Sequence, residues 1–143
     1  MFRLPETLLI ADIPGAEVKA TRLPDGGVKL GGYLVRYGGV DLMGEYFGPD
    51  TDFGGADSAP VYFHHGQAAG IKNRRLGRAT LQQDEFGIFA ETILQERDEY
   101  EKFIVALAEA GKLGWSSGTA AHLMQREEQE DGRTKIVAWP IAE

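Results

Sequence analysis

Two serines stand between glycines in Gly111-Lys-Leu-Gly-Trp-Ser-Ser-Gly-Thr119, and two adjacent histidines end the apolar run Pro60-Val-Tyr-Phe-His-His-Gly66. A hydroxyl is a weak nucleophile until a base takes its proton. A serine with a histidine brought to it from elsewhere in the chain is therefore the smallest inventory of a covalent hydrolase. Alone, a serine between glycines reads as a tight turn and nothing more. The histidine-bearing strand end raises the second reading.

Leu113 to Gln125 reads as one long strand. In a regular strand Trp115, Ser117, Thr119, Ala121 and Leu123 share one face, and Ser116, Gly118, Ala120, His122 and Met124 share the other. The first face, with its Trp and Leu, looks to the core. The second is small and polar near its start and suits a substrate groove. Ser116 is thus the better nucleophile and Ser117 the better structural hydroxyl. His122 shares the Ser116 face but lies six residues on, roughly 20 Å away in an extended strand, and cannot serve unless the strand breaks. That leaves His64 and His65. Adjacent strand residues point to opposite faces, so at most one of them enters a site, and spacing does not choose between them.

Other chemistries fit less well. Gly114-Trp-Ser-Ser-Gly118 has the five-residue pattern of a nucleophile elbow, but an elbow needs a strand before the serine and a helix after it. Here the order is reversed. A metal site from His64, His65 and His122 lacks any His-x-His or His-x-x-x-His pair, and consecutive strand histidines diverge. Asp41, Glu45, Asp50, Asp52 and Asp57 lack the ligand order of an EF-hand loop, so Gly38 to Ser58 reads as a long solvated loop. Neither a metal nor another cofactor is expected.

The elements that must hold these residues follow from periodicity. Met1 to Gly15 reads as a poorly ordered arm and residues 16–143 as one domain. Glu17–Arg22 and Val28–Tyr37 form a hairpin about the turn Leu23-Pro-Asp-Gly-Gly27. Gly31 and Gly32 in its second strand signal a bulge or a close backbone approach. Ala59–His64 is a short strand. Leu76–Gln82 and Ile88–Leu94 flank the turn Asp84–Gly87 as a second hairpin, with Ile88, Ala90 and Leu94 on one face and Phe89 and Ile93 on the other. Glu96–Ala110 is a helix, with Tyr100, Phe103, Ile104 and Leu107 on one stripe and Gly111 placed for a left-handed stop. Thr134–Trp139 returns after the charged turn Glu127–Gly132. About seven strands in antiparallel pairs with one main amphipathic helix make a β-rich α+β barrel or sandwich.

Composition bounds the rest. At 143 residues, 43% hydrophobic and 26% charged, the chain is one ordinary globular domain. A net charge of −7 argues against nucleic acid or an anionic membrane as the main partner. The absence of cysteine excludes disulfides, thiolate zinc sites and a cysteine nucleophile. No apolar run approaches the roughly 20 residues of a membrane span, and the first residues lack a secretory signal pattern.

Taken in order, Pro60–Gly66, Leu76-Gly-Arg78 ahead of the Asp84–Gly87 turn, the helix end Ala110-Gly111, Gly114–Gly118 and the closing Trp139-Pro-Ile-Ala-Glu143 resemble the tailed-phage (HK97-type) prohead maturation proteases. The resemblance covers roughly Gly32 to Glu143 and rests on order and spacing together. It implies a fold similar to the herpesvirus assembly proteases, an antiparallel β-barrel wrapped by helices. It also implies a catalytic set of His65, Ser116 and Glu143: His65 rather than His64 as base, Ser116 as nucleophile, and Glu143 as the acid that orients the histidine. The implied activity is a serine endopeptidase that cleaves scaffold and the capsid protein's extension, and itself. Its partners would be the major capsid protein and the scaffold protein, inside the procapsid in the host cytoplasm, and a homo-oligomer is compatible with this. Two features depart from the family pattern. Gly66 stands where many relatives carry an acid, and the sequence stops at Glu143, whereas herpes-type relatives build the oxyanion hole from backbone beyond the third catalytic residue. A domain truncated there is expected to be impaired. The alternative expectation is a non-catalytic β-barrel structural or scaffold-associated module of a phage particle.

Overall fold

The computed structural model describes residues 17–41, 43–63 and 75–143, and residues 8–11 as backbone. Its strands are β1 (Leu8–Ala11), β2 (Lys19–Arg22), β3 (Val28–Arg36), β4 (Glu45–Asp52), β5 (Ser58–Val61), β6 (Gly77–Gln83), β7 (Gly87–Leu94), β8 (Ser117–Ala120), β9 (Gln125–Glu128) and β10 (Thr134–Ala138). One helix, α1 (Glu99–Glu109), lies between β7 and β8. His64 and His65, and the polar run after them to Arg74, lie outside the described residues.

The two expected hairpins form, and each is closed by an aspartate. The Asp25 carboxylate accepts the Gly27 N–H at 2.9 Å between β2 and β3. The Asp84 carboxylate accepts the N–H groups of Phe86 and Gly87 at 2.7 and 3.0 Å between β6 and β7. A short side-chain oxygen bonding the backbone two or three residues on is what makes aspartate a turn residue. The hairpins join side by side through β3 and β7, and β5 adds to β6, giving a five-stranded antiparallel sheet in the order β2-β3-β7-β6-β5. The alternation read in β7 holds, since Ile88, Ala90 and Leu94 are buried while Ile93 is exposed.

Gly32 is a close approach, as its setting in β3 suggested. A Cβ there would lie 2.5 Å from the Glu17 carbonyl oxygen and 3.4 Å from the Trp115 ring. The β3–β7 ladder also slips register just beyond it, between Tyr33 and Val35.

The helix is shorter than the periodic stretch. Asp98 caps it by accepting the Glu101 N–H at 3.0 Å, and Gly111 takes the left-handed conformation (φ 71°) just past its end. Its buried face is Glu101, Ile104, Val105 and Ala108, with Leu107 half-buried. Phe103, expected on the inward stripe, is 55% exposed and meets the ring of Phe63 edge-on at 6.2 Å. The stripe is rotated because Glu101 takes an inward position. Its carboxylate is bound by the Arg97 guanidinium at 3.0 and 3.1 Å, which offsets the cost of burying the charge. Arg22 of β2 ties the last turn of the helix to the link after β7, binding Glu109 at 2.8 Å and Glu96 at 2.7 Å.

Three expectations need correction. First, Gly38 to Ser58 is not all loop, since β4 lies within it and pairs in parallel with β10. The strand was hidden by Gly48-Pro49-Asp50, which bulge out between its two paired ends. The Thr51 hydroxyl closes the bulge, accepting the Gly48 N–H at 3.0 Å and donating to the Ile136 carbonyl at 2.6 Å. Second, Leu113 to Gln125 is not one strand. β8 pairs with β1, β9 pairs with β10, and a single 3₁₀ turn, Ala121–Leu123, makes the corner between two sheets. All four residues of β8 are buried, so the two-face alternation fails there. The pairing of β1 also means that Leu8–Ala11, inside the expected arm, is a strand.

Third, no closed barrel is found among the described residues. The chain is β-rich with one helix, in three sheets: β1-β8, β4-β10-β9 and the five-stranded one. Isolated bridges link their margins, Tyr37 to Phe47 and Glu17 to Gly114. β5 is an edge strand and contains Pro60, which has no N–H to offer a further ladder. Two apolar clusters fill the interior. One joins the sheets through Phe47, Phe53, Ile136 and Trp139; the other packs α1 on β2, β3 and β7 through Leu30, Leu94, Ile104 and Val105.

Candidate active site

Helix α1 delivers the chain through Gly111 to the segment before β8. That segment is fixed by two contacts with the start of the domain. The Val18 N–H donates to the Leu113 carbonyl at 3.0 Å, and Gly114 bridges Glu17. Ser116 follows, half-buried, and Ser117 begins the buried strand.

The closing segment Trp139–Glu143 holds β8 from the side opposite β1. The Trp139 indole N–H donates to the Ser117 hydroxyl at 3.2 Å, and the Thr119 hydroxyl donates to the Pro140 carbonyl at 2.5 Å. The Ala142 N–H donates to the Gly118 carbonyl at 2.8 Å, and the Gly118 N–H donates to the Glu143 main-chain oxygen at 3.0 Å. The other edge of the segment is bonded to the end of β4 and the residue after it, Trp139 N–H to the Asp52 carbonyl at 2.7 Å and Ile141 N–H to the Phe53 carbonyl at 3.1 Å. Glu143 is consequently buried, at 7% exposure, and its main chain is bonded two residues from Ser116.

Ser116 and Glu143 line one cavity of about 590 Å³. Its described walls come from the inner face of the five-stranded sheet, from α1 through Ile104, and from Lys112–Ser116. The end of β5 contributes Val61, Tyr62 and Phe63. Burial pushes the Tyr62 phenol above its ordinary pKa; the Glu143 charge adds to the rise and Arg75 opposes it. Glu143 and Arg75 are therefore each within electrostatic reach of the Tyr62 phenol. His64 and His65 follow Phe63 directly in sequence.

Of the sequence-derived set, Ser116 and Glu143 are brought to one cavity. His65, and the alternative His64, lie outside the described residues. His122 sits in the 3₁₀ turn, exposed, and is not among the described residues lining the cavity, although the strand does break at it. Ser117 has the structural role expected of it. Among the described residues no group of three or more histidines and carboxylates is disposed to hold a metal ion.

Sequence reasoning missed three participants. Tyr62 was passed over as an apolar strand residue, although it stands two positions before His64. Lys112, which also lines the cavity, was assigned no role from its type or spacing. The clamp on β8 needed Thr119 and Pro140 to meet across the fold, which no local pattern reports. No family model, no curated protein and no solved structure matches this chain.

Proposed function

We propose that the chain is a serine endopeptidase of the prohead maturation type, with a fold akin to the herpesvirus assembly proteases, acting on scaffold and capsid protein inside the procapsid in the host cytoplasm. Ser116 is the nucleophile. His65 takes its proton as the oxygen attacks the scissile carbonyl, then returns that proton to the leaving amine. Water activated by the same imidazole hydrolyses the acyl-enzyme and regenerates the serine. Glu143 orients the imidazole and stabilises its charged form.

One observation carries this reading. Ser116 and Glu143, which the resemblance pairs, line the same cavity as Tyr62 and Phe63, the residues that run straight into the paired histidines. A hydrolytic site needs such a convergence of distant segments; a structural module does not.

The test is co-expression of the chain with the major capsid protein of the same particle, read by intact mass. The expected result is a shortened capsid protein, with shortening lost in Ser116→Ala. Shortening that persists in Ser116→Ala removes Ser116 as nucleophile. No shortening in either form, together with no labelling of Ser116 by an alkyl fluorophosphonate, favours a non-catalytic module of the particle.

A further inference from the structure

Few polar side chains line the cavity beside Ser116. The Glu143 carboxylate only accepts hydrogen bonds, and Lys112 is a cation on an exposed residue past the end of α1. The neutral donors among the described lining residues are the Trp115 indole N–H and the Tyr62 O–H. They differ in access. The Trp115 nitrogen is fully buried and meets no acceptor among the described residues, because the ring packs against both apolar clusters. Tyr62 follows directly on β5 and is half-buried, so part of its surface meets solvent. Its phenol lies within reach of the Glu143 charge, and the Glu143 main chain is bonded to Gly118, two residues from Ser116. Tyr62 is thus the accessible neutral donor on the lining that Ser116 and Glu143 share.

From this we infer that Tyr62 is a further catalytic residue of the proposed site, an inference that rests on that reading: its O–H donates a hydrogen bond to the oxygen that turns negative when Ser116 attacks. In that step Ser116 Oγ bonds to the scissile carbonyl carbon, the π pair moves onto the carbonyl oxygen, and the serine proton passes to His65. On collapse the pair returns, the C–N bond breaks, and the proton leaves with the amine. Tyr62 keeps its own proton throughout. A phenol suits the task because it is neutral and stays protonated. Burial pushes its pKa up, Arg75 opposes the rise, and the Glu143 charge adds to it. A cation in the same place would be drawn to the Glu143 charge, which the imidazole needs. Donors fixed beforehand where charge develops are worth most in partly water-excluded sites such as this.

The test uses the whole chain and an alkyl fluorophosphonate, whose phosphoryl oxygen takes the place of the developing oxyanion. Rates of Ser116 labelling are measured against reagent concentration and pH in the parent, in Tyr62→Phe and in Glu143→Gln. Tyr62→Phe removes one oxygen and leaves the ring. It is expected to lower the maximal labelling rate about a hundredfold, with the concentration for half-maximal rate and the midpoint of the pH profile unchanged. Glu143→Gln, which acts on the imidazole, should move that midpoint. A Tyr62→Phe rate equal to the parent's overturns the inference and leaves Ser116 standing. A fall accompanied by a shifted midpoint also overturns it, since Tyr62 would then act through the imidazole. If Tyr62→Phe does not fold, a crystal structure of the parent adduct decides: Tyr62 Oη within about 3 Å of the phosphoryl oxygen supports the inference, and an Oη beyond hydrogen-bond reach overturns it. No labelling of Ser116 in the parent counts against both the inference and the proposed function.

Discussion

Ser116 and Ser117 are chemically identical neighbours with opposite fates. Ser117 is fully buried and accepts the Trp139 indole N–H, so its hydroxyl is committed to holding the closing segment. Ser117→Ala would strand that buried donor, at a cost of about 1–3 kcal/mol. The expected outcome is a lower urea midpoint with the reactivity of Ser116 retained in the folded fraction; unchanged stability would mean that the indole finds another acceptor. The strand that leads to the histidines ends at Val61, before them, so strand alternation does not choose between them, and the choice rests on the resemblance. His65→Ala is expected to abolish capsid-protein shortening and His64→Ala to leave most of it. Equal loss in both, with circular dichroism unchanged, would contradict the choice of His65. The separation of Ser116 from Ser117 was legible from alternation, yet partly for the wrong reason. Alternation assumes one open face, whereas all four residues of β8 are buried, with β1 bonded along one edge and the closing segment along the other.

At the level of elements, the hairpins were legible because Asp25 and Asp84 make their turns within three residues of chain. The parallel β4–β10 pair was not, because its register is broken by a bulge and its partner comes from the far end of the sequence. The corner at Ala121–Leu123 was equally hidden, since nothing in Ala-His-Leu signals a change of sheet. Glycine spacing did report one tertiary contact. Gly32 allows β3 to pass within van der Waals reach of Glu17 and Trp115, which fixes the start of the serine-bearing segment. Gly32→Ala must push backbone against backbone and should cost about 1–3 kcal/mol, as overpacking does. Denaturation in urea should show the midpoint falling at constant slope. A midpoint equal to the parent's would mean the two segments can separate freely, and would weaken the account of how Ser116 is held.

At the scale of the whole molecule, β5 is an edge strand among the described residues, and the cavity is lined by it and by the segment before β8. The surface adds an acid sensitivity. Lys135 holds the Asp50 carboxyl below the usual range, the Tyr33 hydroxyl does the same for Asp84, and Arg133 for Asp131. A carboxyl whose folded pKa is depressed contributes stability above its unfolded value, about 3.9 for aspartate, and that contribution is lost as pH falls through the folded value. The melting temperature is therefore expected to fall below about pH 4, and to fall less steeply in Asp84→Asn than in the parent. An identical acid limb in Asp84→Asn would show that the carboxyl is not held down in solution. The central claim is that three distant segments meet at one reactive hydroxyl, and covalent labelling tests it most directly. Treated with an alkyl fluorophosphonate and mapped by peptide mass spectrometry, the chain is predicted to carry one adduct, on Ser116, slowed at least a hundredfold in His65→Ala and measurably in Glu143→Gln. An adduct on another serine, or labelling of Ser116 that is indifferent to both substitutions, would contradict the account.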